Sequence, residues 1–137
     1  MIRRTTLIAI IGLCLFAAGC GGGPPRPVLV RGQVSYQGRP LGGGTVTFIP
    51  AEPGPPATGQ ILPDGQFALS TFRPGDGALP GRYSVMIIAV GDTAGRLPDE
   101  ANPPAALLIP RKYASHRTSD LTANVDNANN VIHIELK

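Results

Sequence analysis

Residues 59–90, GQILPDGQFALSTFRPGDGALPGRYSVMIIAV, decide the fold class because they alternate strand-like runs with turns. Residues 66–72 place Phe67 and Leu69 on one face of a strand, at the two-residue spacing of a pleated chain. The Pro-Asp-Gly before them is typical of a tight turn, since proline presets φ and glycine accepts the left-handed conformation. Residues 82–90 form the longest apolar strand beyond the N-terminal region.

The rest of the chain supplies further strands around this unit, at 28–36, 45–49, 57–62, 121–125 and 131–136. Seven short strands punctuated by glycine and proline predict an all-β fold, a single seven-stranded sandwich of immunoglobulin-like or transthyretin-like type. Strand 82–90 is apolar on both faces, so we expect a central strand that is covered on both sides at its end. Strand 57–62 is the candidate edge through which copies of the protein would associate.

The N-terminus has the three parts of an export signal. Arg3 and Arg4 supply positive charge, residues 7–18 are apolar, and small residues precede Cys20. The apolar run is too short to span a membrane as a helix. We therefore predict a lipoprotein signal peptide over residues 1–19 and lipidation at Cys20. A plain secretory signal cleaved nearby is the alternative.

The chain is therefore divided into three regions, of which the signal peptide at 1–19 is the first. Residues 20–27 contain the lipidated Cys20 and a Gly/Pro tether, and residues 28–137 form the sandwich domain with a long loop at 91–120. Without Arg3 and Arg4, ten basic residues face nine acidic ones, so the mature chain has little net charge. Nucleic-acid binding is therefore not expected.

Several segments of the chain resemble a known family. VRGQVSYQGRPLGGGTVTFIP, PDGQFALSTF and LPGRYSVMI resemble carboxypeptidase regulatory-like, transthyretin-like β-sandwich domains. More narrowly, the chain is similar to small bacterial lipoproteins with one such domain, in which PGDGAxPGxYxV and IPxKY segments recur. They stand here at 74–85 and 109–113. The resemblance implies an exported, non-catalytic accessory or binding domain.

The inventory of reactive residues does not favour an enzyme. His116 and His133 are the two histidines, and the chain has no HExxH, GxSxG, phosphate-binding or dinucleotide-binding motif. A transthyretin-like hydrolase acting on hydroxyisourate is the alternative function. Such enzymes carry several His and Arg residues and a C-terminal YRGS motif, and this sequence lacks that set. We expect no catalytic site, no metal and no cofactor. Asp64-Gly65 and Asp76-Gly77 are interpreted as turns rather than calcium loops.

One local cluster combines basic residues with an aromatic ring: Arg111, Lys112, Tyr113, His116 and Arg117. It is the candidate binding loop for an anionic partner, such as a phosphate, a uronic acid or an acidic protein surface. Alternatively, Tyr113 packs on the sandwich edge and the charges are only solvated. The expected function is that of a lipid-anchored, membrane-attached binding or structural module of the cell envelope, facing the periplasm or the cell surface. Its partner would be an envelope protein or glycan.

Overall fold

The computed structural model describes residues 22–91, 107–128 and 130–137, and within these ranges the protein is all-β. This part of the chain contains eight strands in two sheets of four, as in a β-sandwich, and one short 3₁₀ helix, Arg111–Ala114, which precedes the seventh strand. The strands are β1 Val30–Tyr36, β2 Arg39–Pro40, β3 Thr45–Pro50, β4 Ala57–Gln60, β5 Gln66–Ala68, β6 Gly81–Ile88, β7 Leu121–Val125 and β8 Asn130–Leu136. The all-β prediction is confirmed.

β1 is the centre of the first sheet because it pairs on both sides. β8 runs parallel to it over its whole length, from Val30 opposite Asn130 to Tyr36 opposite Leu136. The other side of β1 is shared by β5 and β2, which are both antiparallel to it. Strand β2 was not among the seven predicted strands. It exists because the two residues before it adopt positive φ angles, 51° and 76°, as a tight two-residue hairpin requires.

The second sheet is antiparallel, in the order β4-β3-β6-β7. β6 is central, since it pairs with β3 and β7, and this part of the prediction is confirmed. The prediction that both faces of its end are covered is wrong, because Ile88 and Val90 are 40% and 51% exposed. Their face points away from the core, so the double apolarity of this strand does not reflect double burial.

The core lies between the two sheets, and three aromatic rings within it connect one sheet to the other. The Phe48 ring of β3 lies 6.2 Å from that of Phe67 in the first sheet and 5.8 Å from that of Tyr83 in β6, measured between centroids. Such tilted pairs contribute about 0.5–1.5 kcal/mol each beyond the area they bury. Burial raises the pKa of Tyr83, which donates its hydroxyl proton to the Leu79 carbonyl oxygen at 2.7 Å.

β4 is the edge of the second sheet, at the place where an edge strand was predicted. Its outer side is partly occupied, because Thr58 and Ser70 exchange both backbone hydrogen bonds, at 2.9 and 2.8 Å. This bridge connects β4 to the chain that continues from β5 and so joins the two sheets. A second molecule would therefore meet an edge that is already paired at Thr58.

The predicted signal segment, residues 1–19, and Cys20 lie outside the described residues. Within the described ranges, the structure contains no helix with the length and apolar character needed to cross a lipid bilayer.

Candidate functional site

Tyr113 anchors the part of the predicted loop that the structure describes; residues 107–119 are called the contact segment below. The side chain of Tyr113 is 3% exposed. Its hydroxyl donates to the carbonyl oxygen of Lys137 at 3.2 Å and accepts the backbone N–H of Lys137 at 3.0 Å. A phenol with a buried ring and a fully bonded hydroxyl is a packing residue. Tyr113 therefore positions the contact segment and does not itself face a partner.

Three further contacts fix the contact segment to the sandwich. The Leu108 N–H donates to the Ala89 carbonyl oxygen at 2.9 Å, just after β6 ends. Ile109 is buried in the core. At the other end, the buried Ser119 hydroxyl donates to the Val85 carbonyl oxygen of β6. The contact segment is thus attached at both ends and in its middle, so its exposed side chains project from a defined surface.

The local turns follow from the sequence. Pro110 immediately precedes the 3₁₀ helix, and its carbonyl oxygen accepts the Tyr113 N–H at 3.1 Å. Ser115 ends the turn: its carbonyl oxygen accepts the backbone N–H groups of Thr118 and Ser119, at 3.1 and 2.9 Å. The Thr118 hydroxyl also donates to the Lys112 carbonyl oxygen at 2.7 Å. Proline before the helix and a serine after it are typical of short turns.

The four other predicted contact residues, Arg111, Lys112, His116 and Arg117, are exposed. The Lys112 Nζ atom lies over the face of the Tyr113 ring, 4.8 Å from its centre, so the ammonium group also makes a cation–π contact with the anchored aromatic. Guanidinium groups hold carboxylates and phosphates through paired N–H donors, and an ammonium group adds a point charge. Chemically, this arrangement suits anion binding and contains no nucleophile paired with a base.

An exposed apolar group borders these cations and was not predicted as part of the site: Ile88, Val90, Leu107 and Leu108, which are 40%, 51%, 36% and 51% exposed. Val90 and Leu107 face each other across an antiparallel bridge. The sequence does contain the signal for this surface, since residues 88 and 90 alternate with buried residues 87 and 89. From the sequence alone, that pattern predicts burial on both faces, and the exposure of Ile88 and Val90 shows that only one face is buried.

The contact segment and the start of the domain lie at opposite ends of the sandwich. The chain enters at Val28, which pairs with Ala78 beside the first residue of β1. β8 runs parallel to β1, so Lys137, which holds Tyr113, follows the last pair of that ladder. Seven strand residues at about 3.3 Å each separate the two ends by roughly 20 Å.

The other candidate residues do not join this site. His133 is exposed in the middle of β8, on a different element from His116. Among the described residues, no three His, Cys, Asp or Glu side chains are grouped as metal ligands. Cys20, the predicted lipidation site, lies outside the described residues.

The two Asp-Gly pairs form turns, as interpreted from the sequence. Asp64 accepts the Gln66 N–H at 2.9 Å. The Asp76 carboxylate accepts the backbone N–H groups of Thr71, Phe72 and Arg73, at 2.7, 3.0 and 3.0 Å. Burial raises the pKa of Asp76, but these hydrogen bonds outweigh it and hold the pKa below its ordinary value.

Comparisons with known proteins found a structural likeness. No family model matches the chain, and no curated protein matches it. A solved structure of a DUF3823 family protein from Parabacteroides merdae, also a β-rich fold, is similar to it, with 16% sequence identity and a TM-score of 0.43. The match covers 83% of this chain and 47% of that one, so this chain spans about half the length of that protein.

Proposed function

We propose that the protein is a lipid-anchored, non-catalytic binding module of the cell envelope that uses the cations of the contact segment to hold an anionic envelope protein or glycan. The sandwich would be a carboxypeptidase regulatory-like, transthyretin-like domain attached through Cys20 and the tether at 20–27. The observation that carries this proposal is the Tyr113 anchor. It fixes the basic segment at the end of the sandwich that lies farthest from the tether.

The position of the contact segment supports a role in recognition. A lipid at Cys20 would hold the Val28 end of the domain near the membrane. The opposite end, with its exposed cations and the apolar side chains Val90, Leu107 and Leu108, would face away from that membrane. A mixed basic and apolar surface on a well-supported loop is typical of protein recognition sites.

The lipid anchor is tested by labelling cells that export the chain with an alkyne analogue of palmitate. We expect the full-length protein to carry the label and to fractionate with membranes. Cys20→Ser should lose the label, whereas Cys14→Ser should keep it, since Cys14 lies within the predicted signal peptide. Label retained by Cys20→Ser would rule out lipidation at this residue.

The contact segment is tested by placing a photo-crosslinking amino acid at position 116 of the full-length protein in cells. The site variant carries Arg111, Lys112 and Arg117 changed to alanine; Tyr113 stays, because truncating it would disturb the core. The control variant carries three other exposed arginines changed to alanine, Arg26, Arg73 and Arg82, which removes the same charge.

A defined crosslinked partner is expected with the wild type and the control variant, and its yield should fall at least about ten-fold in the site variant. Thermal unfolding must show that both variants are folded. Equal yields from all three proteins would show that the cations do not recognise the partner. The site would then have to be sought on the sheet faces.

A further inference from the structure

The outer edge of β8 has a row of backbone groups that point away from the sandwich. The Asn130 N–H donates to the Leu29 carbonyl oxygen at 3.0 Å, and the Leu136 carbonyl oxygen accepts the Gln37 N–H at 3.1 Å. In a parallel ladder the residues bonded to the neighbouring strand alternate, so positions 130, 132, 134 and 136 face β1. The N–H and C=O groups of residues 131, 133 and 135 therefore point outward.

The hydrogen bond at Lys137 confirms this alternation, since the N–H of the next odd position meets the Tyr113 hydroxyl and not β1. Among the described residues, no backbone partner meets the outward groups of 131, 133 and 135. Val131 is 71% exposed, and the seven residues of β8 include no proline. Long strand edges of this kind accept an additional strand unless they are blocked.

We propose that this edge binds a second copy of the chain, with the two β8 strands antiparallel about a two-fold axis at His133. His133 then faces His133 of the second copy, and Val131 faces Glu135 of the second copy. Each of these facing pairs exchanges both backbone hydrogen bonds. The result is one continuous sheet across two molecules, and it does not depend on the proposed anion binding or lipid anchor.

Charge complementarity on the outer face supports a second copy as the occupant. Arg31 lies beside Val131 in the β1–β8 ladder, and Glu135 lies beside Ser35, whose hydroxyl donates to it at 3.0 Å. Within one molecule, Arg31 and Glu135 are four strand positions apart, about 13 Å. In the proposed dimer, Arg31 of one copy and Glu135 of the other lie in the same row across the sheet, two strands apart. Their Cα atoms are then about 10 Å apart, a distance that the two long side chains can span.

This arrangement also covers apolar surface. The two Arg31–Glu135 pairs flank the axis and lie over the exposed Val131 side chains. On the inner face, Ile132 of one copy is opposite Ile134 of the other, and Ile132 is only partly buried in a single molecule. The two Glu135 carboxylates are separated by the length of the paired segment, so like charges do not meet.

Cysteine crosslinking of the full-length protein in detergent tests both the pairing and its register. On oxidation, His133→Cys should give a disulfide-linked dimer, because position 133 faces itself. Val131→Cys and Glu135→Cys should each give little dimer alone but a strong crosslink when the two proteins are mixed. The wild-type chain, oxidised in parallel, measures the background from Cys14 and Cys20.

Proline and charge variants test the same edge without a crosslinker. His133→Pro removes an outward N–H, so the fold should persist while the dimer dissociation constant rises at least about ten-fold, because both central hydrogen bonds are lost. Ile134→Pro is the folding control, because it removes an N–H that bonds β1. Arg31→Glu and Glu135→Arg should each weaken the dimer about five-fold, and the double variant should restore it.

Three results would overturn the proposal. The first is sedimentation of the wild-type protein as a monomer at every concentration. The second is equal crosslinking of His133→Cys and Glu135→Cys alone, which would show unspecific collision. The third is crosslinking of His133→Cys to a different protein, which would mean that another chain supplies the added strand.

Discussion

At the scale of single residues, Asp76 shows how one carboxylate shapes a loop. It accepts three consecutive backbone N–H groups, and its own N–H donates to the Arg73 carbonyl oxygen at 3.2 Å. We predict that Asp76→Asn lowers the free energy of unfolding at pH 7 by about 1–2 kcal/mol, since charge-assisted hydrogen bonds are lost in a partly solvated turn. Urea unfolding measures the change.

The pH dependence of that change follows from the lowered pKa of Asp76. The contribution is complete above the pKa of the unfolded chain, about 3.9, and is lost as the pH falls through the lower folded value. The difference between wild type and Asp76→Asn should therefore shrink in acid. Asp64→Asn is the matched control: it bonds a single N–H, which an amide oxygen can replace, so we expect less than about 0.5 kcal/mol. A pH-independent difference for Asp76→Asn would contradict the role of its charge.

Much of the residue-level structure could be predicted, because alternation reports directly on which side of a strand is buried. Phe67, Leu69 and Tyr83 are buried where the pattern placed them. Tyr113 could not be assigned, since an exposed contact residue and a packed anchor have the same neighbours in the sequence. Its partner, the backbone of Lys137, is 24 residues away and is brought close by the fold.

At the scale of elements, Gly32 explains how β1 can be paired on both sides. A Cβ atom at this position would lie 2.0 Å from the Ile132 carbonyl oxygen and 2.5 Å from Cζ of Phe67. We predict that Gly32→Ala destabilises the protein by about 3 kcal/mol, because neither a backbone carbonyl nor a packed ring can move away cheaply. Gly43→Ala is the control, since no atom of the described residues lies within 4 Å of its Cβ position. Chemical denaturation of both variants gives the comparison; equal stabilities would show that β1 and its neighbours can separate.

The order of the strands could not be predicted from the sequence. β7 and β8 are joined by a short turn-forming segment, yet β7 pairs with β6 and β8 pairs with β1, about a hundred residues earlier in the chain. Local turn chemistry does not report such pairing, because it depends on which faces are buried together. For the same reason the sequence points to 57–62 as the edge for self-association, whereas β8 has the longer unpaired edge within the described residues.

At the scale of the whole molecule, the contact segment belongs to the same cooperative unit as the sandwich. Ile109 and Tyr113 share one buried cluster with residues from both sheets. Small domains with one core usually unfold in a single transition. The same core that makes the protein stable therefore also holds the proposed recognition surface in place.

Tyr113→Phe tests whether the contact segment and the sandwich unfold together. It removes one hydroxyl that makes two hydrogen bonds and leaves the ring in place. We predict a loss of about 1–2 kcal/mol, with far-ultraviolet circular dichroism of the strands and near-ultraviolet signals of the tyrosines shifting together. Tryptic cleavage after Arg111, Lys112 and Arg117, followed by mass spectrometry, should accelerate in proportion to the population of unfolded protein. Tyr36→Phe, whose hydroxyl accepts one exposed bond from Gln37, should change stability by less than about 0.5 kcal/mol. If cleavage instead occurs while the strands remain folded, and at the same rate in Tyr113→Phe, the segment opens independently. The anchor would then not position the cations.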